Sequence, residues 1–533
     1  MRNLLGHRGP FFGFRGNSLN AATIVLIVLP AFTCFGYNQA VAGGVLTLKA
    51  FVKTFPEMDT IFTTGAQQHY NSTIQGTVIA LYTVGAMFGA LSCIYLGDLL
   101  GRRRTIFLAT CLSMIGAILM SSSFQFAQFI VARLILGFGT GGYTATIPVW
   151  QSEISRSTHR GAHVVTEGIF IGAGISIALW IDFGLYFVSR SSVSWRFPLA
   201  VQIVLSLIVL TFIFTLPESP RWLIKQDRVD EAREILAILE DVEPGNAKVA
   251  RDIEEIQRSL AIAGTGSWLD MLRMGKERMI NRTLLAVFAQ FSQQMCGINL
   301  ITFYATTIFQ ADLGMNATDS RILAAAMEIM QPIGAFAAYF TIERYGRRKL
   351  MLCSAAGMMC CMAILAGTTS NPHNKHALVA AIVFLFTFNV IFPIGFLGIP
   401  FLYATEVAPL HLRAAISGVS VATTWAFNFL VAEITPVGFD TLRYKYYIIY
   451  ACINAAIIPT VYFCFPETTG HSLEEMDRIF EQSKNIFDPP RIAKELTNKR
   501  KRGMDVENGA KVLVVDGDGD KADVEQVERK ENQ

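Results

Sequence analysis

The sequence is poor in charge. Only 16% of its 533 residues are Asp, Glu, Lys or Arg, against about a quarter in an ordinary soluble chain. The charges are clumped, and the long runs between them hold almost none. With 52% hydrophobic residues and a mean hydropathy of +0.40, this argues against a water-soluble globular protein and for a polytopic helical membrane protein. Metal-ligand spacing is missing too. All nine cysteines (Cys34, Cys93, Cys111, Cys296, Cys353, Cys360, Cys361, Cys452, Cys464) fall in apolar runs and read as small packing residues. No Ser-His-Asp set or paired carboxylates are visible, and the eight histidines lie mostly at loops or ends. An enzyme therefore lacks a candidate centre, and no cofactor is expected. A net charge of +3 gives no ground for a nucleic-acid partner. The start does not read as a cleaved leader, because the first apolar run begins near Leu19 and continues past Val41.

Twelve apolar runs are long enough to span a bilayer: roughly 20–43, 75–97, 105–123, 126–150, 163–187, 195–216, 282–310, 321–343, 349–369, 377–404, 412–437 and 445–465. Basic residues orient them. With both termini in the cytoplasm, the inner loops carry Arg102, Arg103, Arg104, Arg156, Arg160, Arg344, Arg347, Arg348, Lys349 and Arg413, while bases outside are scattered. The sequons at Asn71 and Asn316 then fall outside and are glycosylation candidates; that at Asn281 falls inside. The expected organisation is a cytoplasmic N-terminus (1–19), a six-helix half (20–216), cytoplasmic linker helices (217–281), a second six-helix half (282–465) and a cytoplasmic tail (466–533). The tail is expected to be disordered after about 485, where Lys, Asp and Glu dominate.

The chain also repeats itself. Asp98 precedes Gly101-Arg-Arg as Glu343 precedes Gly346-Arg-Arg. Glu153 to Arg160 matches Glu406 to Arg413 in spacing, and Pro217-Glu218 matches Pro466-Glu467. Three pairs in one order, at offsets of about 245 to 253 residues, imply two six-helix halves in parallel topology, with a site at their interface near the midplane. Asp98, Arg102, Arg103, Glu153, Arg160, Glu343, Arg347, Arg348, Glu406 and Arg413 all sit at cytoplasmic helix ends. They form a candidate charge network that locks the inner faces in one state.

Against this background, Gln290 to Tyr304 (QFSQQMCGINLITFY) stands out. Gln290, Gln293, Gln294 and Asn299 are amides in a stretch otherwise fit for lipid, where an unpartnered amide costs several kcal/mol. Such groups face a bundle interior or a polar pathway. Asn and Gln offer both a donor and an acceptor without charge, which suits neutral hydroxyls.

Five segments together resemble the sugar porter family of the major facilitator superfamily: Gly97-Asp-Leu-Leu-Gly-Arg-Arg-Arg, Pro217-Glu-Ser-Pro-Arg-Trp-Leu, Gln293-Gln-Met-Cys-Gly-Ile-Asn, Glu343-Arg-Tyr-Gly-Arg-Arg-Lys and Pro466-Glu-Thr-Thr-Gly. The resemblance covers about residues 20 to 480 and is nearest to the fungal branch. It implies an all-α fold of twelve membrane helices in two pseudo-symmetric halves, alternating access, a monosaccharide or polyol substrate and a plasma-membrane location. By position it implies substrate contacts at Gln293, Gln294, Asn299, Gln331, Phe401, Trp425 and Asn428. Two positions depart from the pattern. Phe401 follows Pro400 where Trp is usual, and Gly168, beside Glu167, stands where span five usually has Gln.

A third departure concerns coupling. Asn38 occupies the place of an Asp that, in proton-coupled relatives, pairs with the span-four Arg matched by Arg133. An Asn cannot bind and release a proton, so facilitated diffusion is expected, with Glu167 as the substitute acid if a proton is carried. The readings left open are a sugar or polyol carrier, a carrier of a non-sugar organic acid such as quinate, an exporter of a fungal secondary metabolite, and a non-transporting sugar receptor. The expected partners are a small molecule and the lipid bilayer, with a proton as an open third.

Overall fold

A computed structural model describes residues 10–498 except 47, 61, 156–159, 189–190, 264–267, 276, 310–314 and 372–373. Among the described residues, twelve helices are long and apolar enough to cross a membrane: Gly16–Val45, Gly65–Leu99, Arg102–Ser121, Phe126–Ile154, Gly161–Tyr186, Val193–Thr215, Met279–Phe303, Thr318–Tyr345, Arg347–Thr369, His376–Val407, Leu410–Thr435 and Lys445–Cys464. They are called spans one to twelve. The expected twelve runs and these helices coincide in order. Span two starts at Gly65 rather than near 75, because the polar turn containing Gln67, Gln68 and Asn71 continues the helix outward.

Packing follows the repeat. Spans one and five pack together, as do two and four, three and four, and three and six. Moved six spans along, each pairing recurs: seven with eleven, eight with ten, nine with ten, and nine with twelve. Across the halves, spans two and eleven pack together, and so do their counterparts, eight and five. This exchange is what a pseudo-two-fold axis along the membrane normal requires.

The repeat extends to single atoms. Span three begins after Gly101 (φ 83°) and span nine after Gly346 (φ 90°), both in the left-handed region that glycine tolerates without a Cβ penalty. Glu218 accepts the backbone N–H of Arg102 and Arg103, at 3.1 and 3.2 Å. Glu467 accepts those of Arg347 and Arg348, at 2.9 and 3.2 Å. Each acid after span six or twelve thus caps the N-terminus of span three or nine, satisfying orphan donors and the positive end of the helix dipole. Burial lifts the Glu218 carboxyl above its ordinary value, while the backbone N–H groups of Ser219 and Arg103 pull it back.

Between the halves lie helices Pro220–Lys225, Val229–Glu240 and Ala247–Ala263. Ser219 caps the first by accepting from the Trp222 N–H. After span twelve, helix Leu473–Gln482 opens with a Ser472/Glu475 capping box. Order extends past the boundary expected near 485. Residues 489–498 are helical, Ala493 is fully buried, and Thr497 bonds His471 at 3.1 Å. The apolar Ile492, Ala493 and Leu496 give this stretch a face to bury. The rest of the expected tail lies outside the described residues.

Candidate substrate site and cytoplasmic gate

Span seven breaks at its middle. Helix Met279–Met295 ends before Gly297 (φ 105°), and a new helix runs Ile298–Thr307. The break turns the amides of the QQMCGIN segment to one point. Gln293 Nε2 donates to the Leu397 carbonyl at 2.8 Å, where span ten also breaks before Ile399–Val407. Gln294 Nε2 donates to Gln293 Oε1 at 3.1 Å. Gln294 Oε1 in turn accepts from both Asn299 Nδ2 and, at 3.3 Å, Asn428 Nδ2 of span eleven. From span eight, Gln331 Nε2 donates to Glu328, to Asn389 Oδ1 of span ten (3.2 Å) and to Thr302 Oγ1 (3.4 Å).

These groups surround a cavity of about 50 Å³ between the halves, lined by Gln293, Gln294, Asn299, Gln331 and Asn428, with Gln39 and Phe35 from span one and Ile171 and Ile175 from span five. Five expected contacts therefore converge. Two of their buried acceptors, Gln331 Oε1 and Asn428 Oδ1, have no hydrogen-bond partner among the described residues. No lining residue is charged. The volume suits at most a few waters, each taking about 30 Å³ of liquid, so a sugar enters only when the helices part.

Phe401 and Trp425 are not among the lining residues. Phe401 packs edge-on against Phe32 at 6.2 Å, since the new helix after Gly398 turns it towards span one. Trp425 packs edge-on against Phe35 at 5.3 Å and Tyr82 at 5.5 Å. It stands behind Phe35 in the wall, and its indole N–H has no partner among the described residues. Gln290 also sits outside the cavity, accepting from Thr424 at 2.7 Å. Gly168 explains its own departure: a Cβ there would meet the Gly398 backbone N at 3.1 Å, so span five presses on the break in span ten.

The expected coupling residues do not meet. Arg133 is buried in span four and donates to the carbonyls of Val78 (3.4 Å) and Ile79 (2.6 Å), with its guanidinium 5.3 Å from the Tyr82 ring centre. Asn38 points to Cys34 Sγ at 3.6 Å. Glu167 is fully buried, and neither carboxyl oxygen has a hydrogen-bond partner among the described residues. It neither reaches Arg133 nor lines the cavity. The carbonyls of span two have taken the role expected of an acid. Sequence reasoning missed Asn389 and Gln39 as site residues; the signal for Asn389 was another lone amide in an apolar run.

At the ends of the spans that carry the Gly-Arg-Arg repeats, matching ion pairs occur in both halves. Arg102 bonds Asp98 (3.1 Å) and Glu153 (3.0 Å); Arg347 bonds Glu343 (2.9 Å) and Glu406 (2.8 Å). The expected Arg103 and Arg348 take no part in these ion pairs: their guanidinium groups turn to the Phe214 and Tyr462 carbonyls and rings. They brace each half internally rather than join the halves. Other contacts do cross, among them the Ser417 hydroxyl of span eleven donating to the Ala145 carbonyl of span four at 3.0 Å. Arg413 reaches Glu153 at 3.2 Å, the Ala162 N–H donates to Glu343 at 3.1 Å, and Lys225 bonds Asp98 at 2.8 Å and the His411 carbonyl at 3.2 Å. The side chain of Arg160 lies outside the described residues.

The sequon at Asn71 is corrected. Its side chain is 1% exposed, donates to the Asp59 carbonyl at 2.8 Å and accepts from Gln67. A glycan on that nitrogen is incompatible with this burial. Asn316 is exposed at the N-cap of helix Ala317–Glu328.

Comparison with known proteins agrees. Residues 23–480 match the family described as sugar (and other) transporter. The chain is 34% identical to "Sugar transporter STL1" of Saccharomyces cerevisiae, covering 92% of this chain and 86% of that one. It is 35% identical to "MFS-type transporter oryC" of Aspergillus oryzae, with 94% and 93% covered. Its fold superposes on the proton:xylose symporter XylE bound to 6-bromo-6-deoxy-D-glucose with a TM-score of 0.74 at 22% identity, over 86% of this chain and all of that one. The chain belongs to the sugar transporter family of the major facilitator superfamily.

Proposed function

We propose that the protein carries a neutral sugar or related polyol across the membrane by alternating access. The observation that carries this reading is the convergence of amides from spans seven, eight and eleven on one uncharged cavity, with two acceptors left for hydroxyls. Relatives bearing the names of sugar, glucose and galactose transporters support it. The lining argues against a quinate-like acid, because a carboxylate would find no cation there and an unpaired buried charge is costly. The exporter reading keeps the same fold and differs in substrate and direction. The two halves, 20–216 and 282–465, rock about the cavity, with both termini in the cytoplasm of a cell whose plasma membrane holds the carrier. Contacts from Arg413, Ala162 and Lys225 hold the inner face closed.

Coupling divides into two readings. Asn38 in place of an acid favours facilitated diffusion, since that position holds no proton. A buried carboxyl elsewhere beside the cavity favours proton symport, and the structure contains one at Glu328.

The test is uptake of a radiolabelled panel of sugars, polyols, organic acids and neutral metabolites by surface-expressed protein in a host without its own hexose carriers. Saturable uptake of a neutral polyhydroxy compound supports the reading. A surface-expressed protein that carries none of them removes it.

A further inference from the structure

Glu328 lies in span eight and is fully buried. One carboxyl oxygen accepts from Gln331 Nε2, and the other has no hydrogen-bond partner among the described residues. It stands one hydrogen bond behind the cavity wall, because Gln331 and Thr302 line the cavity and Gln331 also bonds Thr302 and Asn389. The polar side chains bonded around it are therefore neutral: Thr302 from span seven, Gln331 from its own span and Asn389 from span ten. From span five, the neighbours across the interface are apolar, with Gly172 against Gln331 and Pro332.

Charged groups on these elements are directed elsewhere. Arg321 is two turns before Glu328, about 10 Å along the helix, and its guanidinium lies 4.6 Å from the Tyr186 ring centre at the outer end of span five. Glu167 and Asp182 of span five add no positive charge. No ion pair with Glu328 occurs among the described residues.

A carboxylate buried without a cation is strongly disfavoured, whereas the neutral acid is not. The Gln331 amide hydrogen-bonds the carboxyl in either protonation state but brings no compensating charge. We propose that Glu328 is the proton-binding group of this carrier, and that Gln331 couples its protonation to substrate binding. When the cavity opens outward, water reaches the carboxylate and a proton forms an O–H bond on it. Substrate hydroxyls then occupy the Gln331 carbonyl, the cavity closes, and the dry site holds substrate and proton together. On inward opening, water returns, the O–H bond breaks and the proton leaves to the cytoplasm with the substrate. The span-one position held by Asn38 is not needed in this cycle. The inference rests on the carrier reading above.

The test compares wild type, Glu328→Gln and Glu328→Ala at equal surface expression, using the substrate found by the panel. One proton per cycle supports about a tenfold substrate gradient for each pH unit across the membrane. Wild type is expected to accumulate substrate, to lose accumulation on protonophore addition and to alkalinise a weakly buffered medium when substrate is added. Glu328→Gln is expected to lose accumulation and the pH dependence of uptake while still exchanging internal for external substrate. Glu328→Ala is expected to lose accumulation too and to bind substrate more weakly, because Gln331 then loses one of its three partners. Wild-type uptake that neither accumulates nor moves protons overturns the proposal, as does a Gln variant that accumulates like wild type. If Glu328→Gln and Glu328→Ala fail to reach the surface, Glu328→Asp is compared instead: a shifted pH dependence of accumulation supports the proposal, and a pH profile equal to wild type overturns it. Absence of uptake of any neutral polyhydroxy compound strikes the carrier reading instead, so the two failures are distinct.

Discussion

Arg413 Nη1 stands 3.2 Å from Glu153 Oε1, and both side chains are almost completely buried. This ion pair joins spans eleven and four across the two halves. The same Glu153 binds Arg102 within its own half, so one carboxylate pairs with an arginine from each half. Without Arg413 this carboxylate keeps Arg102, so the loss is smaller than the about 3–5 kcal/mol of a buried charge left with no partner.

The gate prediction follows. Arg413→Met weakens the inward-closed state while Arg102 still neutralises Glu153. Spin labels on the cytoplasmic ends of spans four and eleven are expected to show a larger separation than in wild type, with transport reduced at least about tenfold, the equivalent of 1.4 kcal/mol. An unchanged distance distribution contradicts the gate assignment.

Gln294 is the hub of the amide cluster, since its single carbonyl accepts from Asn299 and Asn428 together. Gln294→Ala removes that acceptor and frees both amides. At about 1 kcal/mol for each net hydrogen bond, KM is expected to rise about tenfold or more with surface expression intact. Trp425→Phe, by contrast, keeps the edge-on contact with Phe35 and discards only an unpartnered N–H. It should change KM little; a large rise would return Trp425 to the substrate wall.

Gly346 begins span nine at φ 90°, and a Cβ there would lie 2.3 Å from Glu467 Oε2. Gly346→Ala combines left-handed strain of roughly 1–2 kcal/mol with displacement of the carboxylate that caps the helix. Lower thermal stability of the purified protein is expected. Stability equal to wild type contradicts the capping role of Glu467.

Glycosylation separates the two outer sequons. Endoglycosidase treatment should shift the mobility of wild type and of Asn71→Gln alike, and leave Asn316→Gln unshifted. A mobility change lost on replacing Asn71 contradicts the burial of that side chain.

The twelve helices and their two-fold arrangement were readable because apolar length and the repeated Gly-Arg-Arg, Glu-to-Arg and Pro-Glu elements are written locally. The amides of span seven were readable for the same reason: a polar group in lipid-length sequence needs a partner. What sequence could not show is rotation about a helix axis. Phe401 turns to Phe32 because span ten restarts after Gly398, and Trp425 packs edge-on between Phe35 and Tyr82. Neither orientation is encoded in spacing. Glu218 and Glu467 read only as markers of the repeat, whereas their work is to cap helices more than a hundred residues away in sequence. Arg133 was expected opposite Asn38 by resemblance, but backbone carbonyls of span two supply its partners.

The central claim is that this uncharged, amide-lined cavity takes neutral hydroxyls. Counterflow in proteoliposomes of purified protein, loaded in turn with unlabelled sugars, polyols and organic acids, tests it most directly. A neutral sugar or polyol is expected to drive entry of its own labelled form, and Gln294→Ala to weaken this exchange. Counterflow driven by an organic acid, with none from any neutral polyhydroxy compound, would contradict it.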